Sequence, residues 1–468
     1  MRKRRSSNFL LIVFLFLTIN LCVAGSVKFD LVIKNGRLVD GSGNPWFYAD
    51  LGIIAGKIAK IGWIDTSEAA QWLDAQNLIV APGFIDVHTH VEGGITRIPT
   101  ADNFIRMGVT TIVTGAVGLS TGLIYVPGTF AKTDEIITLA KTAAQYKGVY
   151  ASHIRNEGNE VVAAINEAIQ IGERAGLPVE ISHFKISSKK LWGQSQLTTS
   201  LIQQARERGL QVTVDQYAYP ASSTGLETQL PDWVLDGGRD AAMARLRDAK
   251  QRAQIKKEML KKLRQAGRKN YSHAFVASYR PDSTFNGKNI AAITQQVRNK
   301  KNAEAQTEQI IEMYIASEGR VGMVYHTMSE SDVEHIMQQP FCMIASDAGV
   351  IEMGRGVPHP RGYGDNARVL GKYVREKKLL RLEDAIRKMT SLPAQTFRFW
   401  DRGLIREGFA GDLVIFDAEK VIDRATFEAP HQYPEGIRFV LVNGQIVVKE
   451  NQHTGARAGK ILYGTGKI

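Results

Sequence analysis

Beyond its first two dozen residues the chain alternates apolar and polar positions in "FDLVIKNGRLVDGSG" and "ADLGIIAGKIAKIG", around Asn-Gly and Gly turns. The same alternation returns near the other end in "AGDLVIFDAEK" and "RFVLVNGQIVVKENQ". A period of two, broken by such turns, predicts hairpins with one buried face. We expect the two ends to pair as one small β-sandwich, residues 27–80 plus 402–468. Between them the period lengthens. "NEVVAAINEAIQIGERAG" reads as an amphipathic helix followed by the strand "LPVEISHF", and "LTTSLIQQARERG" as a helix followed by "LQVTVDQYAY". Repetition of this unit over residues 81–401 predicts an α/β fold with a parallel sheet, and a TIM-like (β/α) barrel of such units keeps its active site at the C-terminal ends of the strands.

Histidines stand at those ends. "LIVAPGFIDVHTH" is an apolar strand closing on His88 and His90, and positions i and i+2 of a strand face one side. Taken alone, such a pair more often marks ordinary polar or packed histidines than ligands. "GVYASHIRNEG" then ends a strand at His153, "PVEISHFKISS" ends the next at His183, and "PFCMIASDAGV" ends one at Asp347. Four imidazoles and a carboxylate at successive strand ends form a donor set that zinc favours. His326, in "GMVYHTMSE", also ends an apolar strand; we read it as supporting or structural.

Composition narrows the class. With 44% apolar and 23% charged residues, the chain has the makeup of a folded globular protein. The formal charge of +12 invites a nucleic-acid reading, yet part of it lies in the first residues and much of the rest in "RLRDAKQRAQIKKEMLKKLRQAGRK". There Leu246, Ile255, Met259 and Leu263 fall on one helical face and the cations on the others. No nucleic-acid motif accompanies them, so we expect a solvated basic helix within an insertion at about 226–320. At the start, Arg2, Lys3, Arg4 and Arg5 precede an apolar run from Phe9 to Leu17 and the small residues Ala24, Gly25 and Ser26, the layout of a secretory signal peptide over residues 1–24. The run is short for a membrane span. Lipidation at Cys22 is a weaker reading. Cleavage near Ala24 makes the protein exported, periplasmic or secreted, with Cys342 as its remaining cysteine and no internal disulfide.

These motifs resemble a known group. "PGFIDVHTH", "GLSTGLIYVPG", "YASHIRNEG", "ISHFK", "MIASDAG", "HPRGYGDNARVLGKYVRE", "LEDAIRKMTSLPAQTF" and "DRGLIREGFAGDLVIFD" are together similar to the N-acyl-D-amino-acid deacylases, or D-aminoacylases, of the amidohydrolase superfamily. The resemblance implies a barrel with a small β domain, zinc, and hydrolysis of the amide of small N-acyl-D-amino acids. It implies His88, His90, His153, His183 and Asp347 as metal ligands, Asp347 also being the proton-transfer carboxylate, and it places Lys185, Tyr217 and Ser223 in substrate-binding stretches. The chemistry agrees: zinc polarises a carbonyl and makes hydroxide available at neutral pH, and a carboxylate can move the proton. The substrate's own carboxylate needs a partner, for which Arg155, Lys185, Tyr217, Ser223 and Arg361 are the candidates.

One stretch departs from the family. His153 to His183 spans 30 residues and His183 to Tyr217 spans 34, each about one crossover. In the superfamily four crossovers separate the His-x-His strand from the strand matching His153, about 120 residues, whereas His88 to His153 is only 65. We therefore expect a barrel short by about two βα units, with a seam at Gly115 and Ala116, where "MGVTTIVTG" runs straight into "AVGLSTGLIYVPG". From Thr110 to Lys132 there is no Cys, His, Asp or Glu, so the bridging ligand that the relatives carry after the second strand is absent and one or two ions remain open. A shortened enzyme, a non-catalytic binding protein on a decayed barrel, and an internally deleted version of a deacylase gene compete; we favour the last, with weak zinc binding and slow turnover. A cyclic-amide hydrolase, which bridges its metals with a carbamylated lysine, is the other enzymatic alternative; no lysine lies between Asp86 and Phe130. Oligomeric state is left open.

Overall fold

The computed structural model describes residues 29–114 and 117–464; the expected signal peptide and the Gly115–Ala116 seam lie outside the described residues. Seven parallel strands carry the site: β1 (Phe84–Asp86), β2 (Val109–Ile112), β3 (Gly118–Gly122), β4 (Val149–His153), β5 (Val179–Ile181), β6 (Val212–Gln216) and β7 (Cys342–Ile344). Strands β3 to β7 form one parallel sheet in chain order, and β1 pairs with β2. Just past their ends β7 and β1 join. Thr89 bridges Ala348, and the Asp347 and His90 N–H groups donate to the His88 and Ala348 carbonyls at 3.0 and 2.9 Å. The row therefore runs β2-β1-β7-β6-β5-β4-β3, and among the described residues no ladder joins β2 to β3.

Helices Thr133–Gln145, Val161–Ala175 and Ser195–Glu207 follow β3, β4 and β5. Helix Val161–Ala175 shows why the sequence folds this way. Val161, Ala164, Ile165, Ala168, Ile169 and Gly172 recur at helical spacing and are buried. Gly176, at φ +73°, stops the helix by donating its N–H to the Gly172 carbonyl. A Cβ on Gly172 would meet Val179 Cγ2 at 2.0 Å, so this helix lies directly against β5. Between β2 and β3 the described residues hold no helix.

The two ends of the chain meet as the alternation predicts. A four-stranded sheet contains Leu31–Lys34, Asp50–Ile54, Lys57–Gly62 and Trp72–Asp74. A seven-stranded sheet combines Arg37–Leu38, Phe47–Tyr48 and Ile79–Pro82 with Leu413–Phe416, Ile437–Val442, Gln445–Lys449 and Gln452–His453. Leu31, Ile33, Leu51 and Ile53 of the first sheet share a core with Leu413, Ile415 and Leu441 of the second.

The insertion between β6 and β7 is larger than the basic helical region expected at 226–320 and is not all helix. An antiparallel sheet of Ser222–Gly225, Val321–Tyr325 and Ala274–Tyr279 frames it, because the β-branched and aromatic residues of the last two strands alternate toward a separate core. The basic helix, Ala249–Gln265, buries Ile255, Met259 and Leu263. Among its cations Arg252 pairs with Glu308 and Glu312, and Lys256 with Glu308. None of the helices among the described residues is long and apolar enough to cross a membrane.

Candidate metal centre

The five residues singled out at strand ends converge. His88 and His90 follow β1, His153 closes β4, His183 follows β5 and Asp347 follows β7. Ring centroids lie 4.8 Å apart for His88 and His153, 4.5 Å for His153 and His183, and 5.1 Å for His88 and His183. The donor atoms form two overlapping groups, His88 with His153 and His183, and His88 with His90 and Asp347, each within 4.8 Å. His90 Nε2 lies 3.1 Å from Asp347 Oδ1, and His153 Nδ1 lies 2.6 Å from His183 Nε2. His183 and Asp347 take left-handed backbone angles, φ +40° and +49°. Such conformations are costly for residues with a Cβ and collect at functional sites; here they turn both side chains from the strand ends into the cluster.

His88 tests whether these residues fit a metal. Its Nδ1 lies 3.1 Å from Asp215 Oδ2, the contact that would leave Nε2 to an ion; burial lowers the imidazole, but Asp215 and Asp347 together lift it to about 9, so an ion at Nε2 would take the place of a proton. That Nε2 is buried and has no hydrogen-bond partner. A buried nitrogen with no hydrogen bond, 3.5 Å from Asp347 Oδ1 and gathered with three other imidazoles, fits the role of a metal ligand. Zinc suits the donor set.

Electrostatics prepare the others. Burial, reinforced by the neighbouring imidazoles, holds His153 far below its ordinary pKa. Burial and the Lys185 ammonium lower His183 despite Glu157. Both are neutral at pH 7 and so are able to coordinate. For Asp347, burial favours protonation, but Arg361, His88 and the His90 hydrogen bond outweigh it and keep the carboxyl well below the usual range. Arg361 is the closest cation, NH1 to Oδ2 at 2.8 Å.

The substrate-binding candidates divide. Arg361 reaches the centre through Asp347, with its guanidinium 4.4 Å over the buried Tyr217 ring. Lys185 is buried beside His183 and donates to Glu157 Oε1 at 2.5 Å and to the His183 carbonyl at 2.9 Å. The Tyr217 hydroxyl contacts Met328 Sδ. Ser223 sits on the rim, its hydroxyl donating to the Met323 carbonyl; neighbouring Thr224 meets the Tyr125 hydroxyl at 3.4 Å, and the Tyr125 ring lies 5.8 Å from His153. Arg155 is a correction. Its guanidinium forks onto Glu167 with two 2.8 Å bonds and donates to the Thr129 and Ala131 carbonyls, so it clamps helix Val161–Ala175 instead of facing substrate. His326 packs between Phe275 and Phe427, away from the cluster.

Three carboxylates escaped the sequence reading. Asp215 of β6 accepts from His88 and from the His183 N–H at 2.8 Å. Glu157 meets His183 Nδ1 at 2.8 Å as well as Lys185; burial would raise it, but Lys185 and His183 hold it at about 2. Asp86 accepts from the His88 and Ser346 N–H groups and so ties β1 to β7. For Asp86 and Asp215 the available signal was an acid inside a strand pattern, in "GFIDVH" and "VTVDQY", where burial demands a partner; Glu157, in a loop, offered none. After β2, Thr114 donates to Glu92 at 2.6 Å.

Comparison with known proteins places this geometry. The pattern described as "Amidohydrolase family" matches residues 331–448. N-acyl-D-glutamate deacylase of Alcaligenes xylosoxydans xylosoxydans is 31% identical over 522 aligned residues, covering 93% of this chain and 96% of that protein. The crystal structure of N-acyl-D-glutamate deacylase from Bordetella bronchiseptica, complexed with zinc and a phosphonate mimic of the tetrahedral intermediate, superposes with a TM-score of 0.74 at 30% identity over 90% of this chain and 96% of that one. A D-aminoacylase with a binuclear metal centre, described as showing one-metal activation and second-metal attenuation, superposes with a TM-score of 0.77 at 28% identity over 92% of this chain and 99% of that one.

Proposed function

The chain belongs to the N-acyl-D-amino-acid deacylases of the amidohydrolase superfamily, and on that footing we propose that it hydrolyses the amide of N-acyl-D-amino acids, releasing a D-amino acid and a carboxylate. The observation that carries this is the convergence of His88, His90, His153, His183 and Asp347, with the buried Nε2 of His88, which makes no hydrogen bond, at their meeting point. These five residues would hold zinc, which when bound would polarise the scissile carbonyl and make hydroxide available near neutral pH. Asp347, kept ionised by Arg361, takes the proton of the attacking water and returns it to the leaving nitrogen. The substrate carboxylate is met by the remaining N–H donors of Arg361 and by the rim around Tyr125 and Ser223, with Lys185 and Tyr217 fixing that wall from behind. Asp215 and Glu157 hold His88 and His183 in their liganding tautomers.

We further propose that the chain is internally shortened between β2 and β3. Against an eight-stranded barrel, the described residues lack one strand and the two helices flanking it, rather than two whole βα units, because β3 follows β2 directly. The aligned length with the Alcaligenes deacylase, 522 residues, exceeds the 468 of this chain, so parts of that protein face gaps here. Loss of the ligand after β2 favours one ion, weakly held, and slow turnover. The basic, apolar start supports export by a cleaved signal peptide. The test is rate against substrate handedness: zinc-supplied protein hydrolyses N-acetyl-D-amino acids and leaves their L-isomers intact. Ring opening of a cyclic amide, or preference for L, would overturn the reading.

A further inference from the structure

A cavity of about 550 Å³ lies at the junction of the insertion sheet and the loops that leave β1 and β7. Four guanidinium groups line it: Arg97, Arg280, Arg320 and Arg355. Arg97 sits seven residues past His90, and Arg355 eight past Asp347, so two walls are extensions of the segments that carry the metal centre. The Val357 N–H donates to the Ala277 carbonyl at 2.8 Å, which pins the second of these loops to the insertion sheet. Arg280 and Arg320 flank the paired residues Tyr279 and Val321, so they face each other across two antiparallel strands. On the remaining side lies Gly225, next to the Thr224 that meets Tyr125, whose ring reaches His153.

Like charges opposite one another on a sheet destabilise it unless something answers them. Here little does. Arg355 has an exposed pairing with Glu352, and among the described residues Arg97, Arg280 and Arg320 make no ion pair. The single carboxylate on the lining, Glu227, folds against Gly225, where an added Cβ would meet its oxygens at 2.1–2.2 Å. Four forked donors drawn from separate segments, around a space of ligand size, form a receptor for several planar anions spaced some atoms apart.

We propose that this cavity binds a carboxylate-rich extension of the substrate, of the kind an acidic oligopeptide carries, while the scissile amide lies at the metal centre. The inference deepens the deacylase reading and rests on it for the word substrate; the cavity's affinity for oligocarboxylates stands apart from catalysis. The probe is L-triglutamate, with L-triglutamine as its neutral counterpart, titrated calorimetrically into the zinc-supplied full chain at low and at high salt. Triglutamate should bind at least about tenfold tighter than triglutamine at low salt, lose that advantage at high salt, and bind about tenfold more weakly to Arg280→Gln/Arg320→Gln. Should that pair fail to fold, Arg97→Gln/Arg355→Gln on the opposite walls must show the same loss. Equal affinity for the two peptides, or unchanged affinity in variants that keep their melting temperature and zinc content, overturns the proposal. Triglutamate binding without hydrolysis of any N-acetyl-D-amino acid sinks the deacylase reading and leaves the anion site. Hydrolysis without triglutamate binding does the reverse.

Discussion

Asp215 meets His88 Nδ1 at 3.1 Å and the backbone N–H of His183 at 2.8 Å, so one buried carboxylate orients ligands from two strands. Partners of this kind typically set 10–100-fold in metal affinity. Asp215→Asn should therefore weaken zinc by about that factor in a chelator-competition titration while leaving the far-ultraviolet circular dichroism unchanged; undiminished affinity would remove Asp215 from the site. Arg361 makes a different prediction. Its pair with Asp347 is buried, and removing one partner of such a pair costs about 3–5 kcal/mol. Arg361→Gln should lower both the melting temperature and kcat on an N-acetyl-D-amino acid, whereas a residue serving only to bind substrate would raise KM and spare stability. The five residues proposed as ligands were legible as a set in the sequence because each is a histidine or aspartate closing an apolar run. Asp215 and Glu157 were not, because an acid in a strand or a loop carries no mark of what it faces.

Arg155 shows how a strand end misleads. A cation two residues past His153 reads equally well as a substrate clamp or as a clasp on the following helix, and the four hydrogen bonds to Glu167, Thr129 and Ala131 make it the second. Arg155→Met should cost about 1–3 kcal/mol of stability, since it leaves Glu167 part-buried and short of its partner, with KM for N-acetyl-D-amino acids unchanged; a raised KM at full stability would return Arg155 to the binding site. The helix it clasps offers a sterner case. Gly172 leaves no room for a side chain against Val179, and Gly172→Val should destabilise by about 1–3 kcal/mol through overpacking, read as a lowered denaturant midpoint. Helix and strand alternation was plain in the sequence here, and so was the hairpin period at the chain ends. The three-stranded sheet framing the insertion was not, because its strands are separated by long helical stretches and their pairing is set by tertiary contact.

At the scale of the whole molecule, the crossover count between His88 and His153 is what motivates the proposed shortening. The strand order sets β3 beside β4 and β2 beside β1, which puts the proposed shortening between β2 and β3. Among the described residues the two edges that a closed barrel would pair have no ladder to each other, and unpaired edges promote association. Grafting the corresponding strand and helices of a relative between Val113 and Val117 should raise the melting temperature and the zinc affinity together. A graft that raises neither means that seven strands already make a complete fold. The account depends most on the metal centre performing D-selective amide hydrolysis, and one titration addresses it. Protein stripped by chelator is returned to zinc stepwise while hydrolysis of an N-acetyl-D-amino acid and of its L-isomer is followed. The account predicts slow turnover of the D-isomer that climbs with the first equivalent of zinc; no turnover at saturating zinc, or faster turnover of the L-isomer, would contradict it.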